Sequence, residues 1–297
     1  MVATRRLSQL VDSALPKLDL PENRLVVALS GGADSAALAY LAIEFGKEID
    51  LVHVDHQLEA SPVMARAAHD IGKIFDLPVE TLTVDVGPGS SLEDRARDVR
   101  YQALEKIESA VVTGHTRDDS VETMLINLIR GTGPRGLTGI PRFRPPNIYR
   151  PMLSITRSET REIAALAGLP FVDDPMNADM SLTRNRIRLR ILPLMRELNP
   201  QIDSALARTA EMLESDIDFL DLLASHHQTG ALPVSLIVTL PKVLADRLLR
   251  FALENAAIAP TSDRIGRMWS VAGGESQRQD LAEGRSVVRR DALLVIE

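Results

Sequence analysis

Four short apolar runs, each followed by a stretch of helical period, fill residues 24–130 of the 297-residue chain, and that alternation limits the fold more than any other feature. Arg24–Ser30 (RLVVALS), Asp50–Val54 (DLVHV), Val79–Val84 and Ala110–Gly114 (AVVTG) read as strands, and Asp34–Gly46, Pro62–Phe75, Leu92–Ile107 and Asp119–Arg130 as the helices after them. Strands separated by helices of this length pair in parallel, because a parallel pair needs a crossover long enough to return to the same end of the sheet. The expected architecture is therefore α/β, a doubly wound, mainly parallel sheet with helices on both faces. Ligands of such sheets bind outside the carboxyl ends of the strands. The segments after strands one, two and four, SGGADS, DHQLE and HTRDDS, are the candidates for chemistry.

Beyond residue 130 the pattern changes. Gly131–Pro151 is loop-like, Ser158–Gly168 reads as a short helix, Asp173–Asn177 as a turn, and Thr183–Leu198 as mostly helical with a break near Pro193. Gln201–His226 has helical period without Gly or Pro and leads into two further helices after Leu240 and short β segments over Gly284–Ile296. The expected division is a catalytic domain over 1–198 and a smaller, mostly helical C-terminal domain with a short terminal β segment over 199–297, as the length allows. Cysteine is absent, which excludes disulfides, thiolate metal sites and sulfur transfer through a persulfide. No run of about 18 apolar residues occurs and the first residues lack a secretory core, so a cytoplasmic chain without membrane spans is expected.

Net charge is −7, yet Arg130–Arg196 carries twelve Arg, no Lys and five acids, a local balance of +7. Such a block can hold phosphates on an acidic protein, or can be a solvated basic face.

Ser30-Gly31-Gly32-Ala33-Asp34-Ser35 joins a strand to a helix. Two glycines let the backbone bend tightly and approach a ligand closely. The helix start offers unpaired N–H groups and the positive end of the helix dipole, which suit pyrophosphate. No Lys follows, so this is not a Walker loop. Neutralisation must then come from elsewhere, and Asp34 suggests Mg²⁺. Gly131–Gly136 matches GxGxxG only in letters, since it follows a helix and contains Pro134.

The hexad resembles the SGGxDS signature of N-type ATP pyrophosphatases, the PP-loop enzymes. Further segments resemble the tRNA(Ile)-lysidine synthetase family over most of residues 24–200: Val52–His56 (VHVDH), Ala96–Tyr101 (ARDVRY), Gly114–Thr123 (GHTRDDSVET), Arg130–Gly133 with Gly136-Leu137, Arg150-Pro151, Asp174–Asn177 (DPMN) and Arg184–Arg188 (RNRIR). Thr116, Ser120 and Met176 depart from the residues common in the family. The resemblance implies a PP-loop sheet and ATP-dependent ligation of free L-lysine to C2 of the cytidine at the first anticodon position of an isoleucine tRNA with a CAU anticodon. The intermediate is an adenylated cytidine, and AMP and pyrophosphate are released. It further implies ATP contacts at Ser30, Gly31, Gly32, Ala33, Asp34, Ser35, Val54, Gly114 and His115, with Mg²⁺ held by Asp34 through the phosphates. Catalytic residues would be Asp34, Arg100, Asp119 and Glu122. Lysine would meet Asp118, Asp119, Glu122 and Asn177; tRNA would meet Arg142, Arg144, Arg184, Arg186 and Arg188.

The residues fit this reading. Asp119 and Glu122 are spaced i, i+3 and Asp118 and Glu122 i, i+4 at a helix start, so they share a face. Three acids there repel unless cations sit among them, and lysine and Mg²⁺ are two candidates; the other reading is a helix N-terminus carrying favourable acids. Arg184/Arg188 and Arg186/Arg190 form two i, i+4 ridges able to straddle an RNA backbone. Aromatic content is only 3%, so arginine stacking would carry much of any base recognition. The alternative is another PP-loop adenylating enzyme acting on RNA or a small acid. The oligomeric state is not legible here, and a homodimer stays open.

Overall fold

The computed structural model describes all residues except 1, 23, 90–91, 227–231 and 283. Two compact units divide the chain at Glu211/Met212, inside a long helix rather than at the expected 198/199.

In the first unit the order is α1 (Val2–Ala14), β1 (Leu25–Ala28), α2 (Ala33–Glu44), β2 (Ile49–Asp55), α3 (Ser61–Ile74), β3 (Val79–Thr83), α4 (Leu92–Leu104), β4 (Ala110–Thr113), α5 (Arg117–Ile129), β5 (Phe143–Arg144), β6 (Ile148–Tyr149), α6 (Arg157–Leu166), α7 (Thr183–Arg186) and α8 (Leu192–Leu198), after which α9 (Ile202–Ser225) begins. The six strands form one sheet in the order β3-β2-β1-β4-β6-β5, parallel except for β5 on the edge. Side chains alternate across it, as the two-residue period of a strand requires. Leu25, Val27 and Leu29 join Leu51, Val112 and residues of α1, α2 and α6 on one face. Val26 joins Val52, Val54, Val111, Ile148 and Tyr101 and Leu104 of α4 on the other. Burial of both faces is why the strands read as nearly continuous apolar runs.

Strand order reverses at β1, whose neighbours are β2 and β4, with Ala28 opposite Val52 on one side and Thr113 on the other. The crevice above β1 and β4 is thus the expected ligand position. Helix α2 starts there. Its Ala and Leu residues are buried nearly all round, which explains a composition without a polar face.

Three elements differ from the sequence expectation. The loop-like stretch 131–151 holds β5 and β6; two-residue strands amid Pro145 and Pro146 leave no periodic signal. Helix α1 docks Leu10, Val11 and Ala14 into the core. The break before Pro193 is a π-helical turn over Ile187–Ile191.

The second unit contains β7 (Leu232–Pro233), α10 (Val234–Thr239), α11 (Lys242–Asn255), α12 (Ser262–Ala272), β8 (Arg278–Ala282), β9 (Arg285–Arg290) and β10 (Leu293–Ile296). Its strands make an antiparallel sheet in the order β7-β10-β9-β8, packed on Leu248, Leu249, Met268 and Val271. It is therefore helices plus a small sheet, with more β structure than the expected terminal segment. Strand β8 (RQDLA) buries only Leu281 and so shows no apolar alternation. Among the described residues, no helix is long and apolar enough to cross a membrane.

Gly31 sits at φ +82°, and a Cβ there would run into the Met64 carbonyl oxygen. Gly31→Ala is therefore expected to destabilise the fold by about 1 kcal/mol or more, read as a lower urea midpoint at unchanged m-value.

Candidate active site

The hexad forms a loop pinned by its own hydroxyls. Ser35 Oγ accepts from Ser30 N at 3.1 Å and donates to the Gly32 carbonyl at 2.9 Å, and the two serine hydroxyls lie 3.0 Å apart. Segment 171–174 braces the loop from outside, with Val172 N donating to the Gly31 carbonyl at 3.0 Å. Gly32 is the N-cap of α2 and no side chain caps the helix. Its first N–H groups are the orphans every helix start leaves, at the helix that directly follows β1. Gly114 ends β4 beside this loop; a Cβ there would lie 3.0 Å from the Asp34 carbonyl carbon and Ser35 N. Only a glycine lets the strand end approach so closely.

Asp34, in the first turn of α2, accepts from Thr160 Oγ1 and lies 3.8 Å from Arg157 Nε. Burial pushes its carboxyl up to about 6, Asp119 and Asp118 add to the rise, and Thr160 and Arg157 oppose it.

The acids of α5 converge on the same arginine. Thr116 caps the helix in a capping box with Asp119, whose Oδ2 accepts from Thr116 N and Oγ1, both at 2.9 Å. Asp119 Oδ1 accepts from Arg157 Nη2 at 2.6 Å. Burial alone would raise this carboxyl, but Arg157, His115 and the cap hold it at about 2. Glu122 is 0% exposed. It accepts from Arg157 Nη1 at 2.9 Å and, bidentately, from Arg188 Nε at 2.7 Å and Nη2 at 2.9 Å. Arg184 Nε lies 3.8 Å from it. The ion pairs raise the Arg157 guanidinium against the pull of burial. Asp118 does not face this cluster through its charge alone: its Oδ2 accepts the backbone N–H of Arg157 at 2.9 Å, satisfying the first turn of α6.

Arg157 thus touches Asp34, Asp119 and Glu122 with its side chain and Asp118 with its backbone. Sequence reasoning missed it. The available signal was Thr156-Arg157-Ser158-Glu159, a capping box that starts α6 at Arg157 rather than Ser158.

Arg188 also reaches Asn177 Oδ1 at 3.3 Å, which brings Asn177 to the edge of the cluster. Arg184 donates to Thr123 Oγ1 at 3.2 Å. Both arginines therefore sit on α5, whereas Arg186 and Arg190 are exposed. Arg142 lies 3.8 Å from Asp19, and Arg144 pairs with Glu105 at 2.8 Å. The Val54 side chain is buried in the core, leaving only its backbone for a ligand. His115, beside Gly114, is hydrogen-bonded to Thr113 Oγ1 at 2.9 Å, and burial drives its imidazole down to about 3, so it is neutral at pH 7. Burial and Arg100 lower His56 to about 4.

The fold and the pinned glycine loop at its switch point define a PP-loop domain, and the model of that family, described as PP-loop domain, matches residues 2–195. Curated relatives are narrower in kind. The chain is 38% identical over 287 residues to a tRNA(Ile)-lysidine synthase of Rhodococcus erythropolis, covering 91% of this chain and 88% of the relative. It is 40% identical over 256 residues to that of Salinispora tropica, covering 78% and 77%, and 34% identical over 295 residues to that of Mycobacterium bovis, covering 92% and 91%. The chain belongs to the tRNA(Ile)-lysidine synthase family of ATP-dependent ligases. Among solved structures, the U34-tRNA thiolase NcsA of Methanococcus maripaludis shares the fold at TM-score 0.57 and 18% identity, over 71% of this chain and 79% of that one.

The two carboxyls make opposite claims on stability. Asp34 binds a proton more tightly folded, at about 6, than at its ordinary 3.8, so its ionisation costs stability as pH rises through that window. Asp119, held at about 2, contributes stability above its ordinary 3.8 that is lost as pH falls toward 2. Asp34→Asn is therefore expected to stabilise the free protein at pH 7–8 by on the order of 1–2 kcal/mol, with the gain gone below about pH 4. Urea melts at both pH values check this.

Proposed function

We propose that this site adenylates the C2 oxygen of the first-anticodon-position cytidine of an isoleucine tRNA and then joins C2 to the ε-amine of free lysine. What supports the reading most is the convergence of the nucleotide end, Asp34, and the acid pair Asp119 and Glu122 on Arg157 within one crevice. The first N–H groups of α2 receive the β- and γ-phosphates. Cytidine O2 attacks the α-phosphorus and pyrophosphate leaves. The lysine amine then attacks C2, AMP leaves with the oxygen, and the amine gives up a proton.

Free lysine arrives as a cation, with an ordinary pKa of about 10.4. Asp119, ionised at any neutral pH, is a fixed partner for it, and Asn177 borders the same place. Arg157 and Arg188 keep Glu122 and Asp119 aimed and prevent their mutual repulsion from opening the cluster. His115, uncharged, lines the nucleotide side without opposing a cation. Among the described residues no group of three or more acids or imidazoles is able to cage a metal. A Mg²⁺ ion therefore fits here only as one held by Asp34 together with phosphate oxygens, where it would offset phosphate charge. The raised pKa of Asp34 suits this: its carboxylate, ionised at pH 7, lacks a full counter-charge within the chain.

The assay is incorporation of labelled lysine into isoleucine tRNA with one AMP and one pyrophosphate per lysine. ADP and phosphate as products would overturn the reading, and ATP–pyrophosphate exchange with a free acid and no tRNA would move the site to another PP-loop reaction. Glu122→Gln is expected to lower kcat/KM for lysine by about 100-fold, with ATP binding retained.

The arginine ridges separate in the same assay. Arg188→Ala removes two hydrogen bonds from Glu122 and is expected to raise KM for lysine with little change in the salt dependence of tRNA binding. Arg186→Ala, at an exposed position, is expected to lower the salt slope of tRNA binding by about one unit and leave the lysine constant in place.

A further inference from the structure

Between two arginines of α7, Asn185 is buried, 4% exposed. Its Nδ2 donates to two backbone carbonyls, those of Met176 and Asp179, both at 2.8 Å. Both neighbours are acceptors only, so the amide faces them in one orientation, nitrogen first. The two carbonyls belong to the turn that carries Asn177. Asp174 opens the turn by accepting from Met176 N at 2.9 Å, and Asn177 N donates to the Asp174 carbonyl at 2.9 Å. Pro175–Ala178 is a single 3₁₀ turn, and Asn177, Ala178 and Asp179 are exposed.

Apolar packing does little for that turn. Among the described residues, none from 174 to 182 joins an apolar cluster of the fold. Upstream, Val172 N donates to the Gly31 carbonyl at 3.0 Å, and Asp173 pairs with Arg161 at the surface at 2.6 Å. Both ties end before the turn begins. The turn itself is held to α7 and the π-helical stretch after it by Asn185, and by Arg188 Nη1 donating to Asn177 Oδ1 at 3.3 Å. Asn185 and Arg188 are spaced i, i+3, which makes them surface neighbours on one helical stretch, and Arg188 is bidentate on Glu122. One amide thus sets where Asn177 stands relative to Arg188 and the acid cluster. Exposed turn carbonyls are satisfied by water at no cost to the fold. A buried amide that spends both its N–H groups on them instead specifies a place for the turn.

We propose that Asn185 is a positioning residue: it docks the 174–179 turn on α7 and so holds the Asn177 side chain beside Arg188, at the edge of the acid cluster, without touching substrate itself. That the docked side chain meets lysine rests on the function proposed above; the docking does not. Within that function Asn185 serves the second step, attack of the amine on C2, rather than the first, attack of cytidine O2 on the α-phosphorus. The glycine loop that serves the first step is tied to this segment at Val172, ahead of the turn.

The test is Asn185→Asp in the full chain, which keeps the shape of the side chain and turns an acceptor toward both carbonyls. Asn185→Ser, which keeps one donor, is measured beside it and is expected to give a smaller effect of the same kind. The control is Asn147→Asp. Asn147 is likewise buried, and its Nδ2 donates to the Leu104, Ile107 and Ser109 carbonyls, but at the amino end of β4. Amide hydrogen exchange over 174–182 is expected to quicken about tenfold in Asn185→Asp, with peptides of β1 and α2 unchanged, and to keep its rate in Asn147→Asp. Unchanged exchange over 174–182 in both Asn185 variants, or equal quickening throughout the first unit, overturns the proposal. With tRNA and ATP, Asn185→Asp is expected to raise KM for lysine roughly tenfold, while the burst of pyrophosphate formed without lysine keeps its size and rate. On an Asn177→Ala background the same change is expected to add little, because both act through one group. A fall in kcat at constant KM for lysine, or full additivity with Asn177→Ala, overturns the proposal. An unaltered protein that joins no lysine to isoleucine tRNA counts against the proposed function alone, since hydrogen exchange reads the docking without any substrate.

Discussion

The salt-bridged cluster around Arg157 is the constraint on which the arrangement of the crevice depends. Glu122 is fully buried and Asp119 nearly so, and an ionised carboxylate taken out of water without a partner is a several-kcal/mol liability. One guanidinium answers both and also approaches Asp34. It can do so only because α6 starts where it does. Thr156 and Glu159 cap that helix reciprocally, and Asp118 accepts the N–H of Arg157, so the backbone carrying the guanidinium is held from both sides. The N-termini of α2, α5 and α6 are thereby tied to one another by charge as well as by the apolar packing of α2 against α6.

The turn that supplies Arg184 and Arg188 follows from the same cluster. Ile187 and Leu192 both pack on Val121 and Leu125 of α5, five residues apart. An α-helix places neighbours on one face three or four residues apart, whereas a π-helical turn brings i and i+5 into line. The widening over Ile187–Ile191 therefore lets two apolar anchors share a face. Pro193 has no N–H to close an α-type bond onto the Leu189 carbonyl, which removes the hydrogen bond that would resist it.

Much of this was legible in the sequence, and the remainder was hidden for physical reasons. The period-two and helical runs of residues 24–130 disclose the sheet because its central strands are buried on both faces. SGGADS discloses the phosphate loop because a backbone-built anion site needs small residues. The spacing of Asp118, Asp119 and Glu122 placed them on one face and called for cations among them, and the folded chain itself provides one that no local spacing discloses, Arg157. That arginine lies 35 residues from Glu122, and no local period connects them. Arg184 and Arg188 form one ridge and Arg186 and Arg190 another, and a list of arginines does not say which ridge turns inward; the buried Glu122 decides it. Short edge strands such as β5 and β6, and a polar strand such as β8, have no repeating pattern to read.

Asp34 and Asp119 face the same arginine from two helix starts and are nevertheless driven in opposite directions, to about 6 and about 2. The difference is in how each is supplied. Asp119 receives two bonds from Thr116 and one short bond from Arg157, which together hold it ionised despite its burial. Asp34 has a hydroxyl and a distant guanidinium, too little to offset its burial. A site built this way keeps one carboxylate ionised throughout and leaves the other short of a cation. Environments that separate the pKa values of paired carboxyls are how one crevice assigns them different tasks. The unanswered charge of Asp34 is thus the part of the site that a cation from outside the chain has to complete.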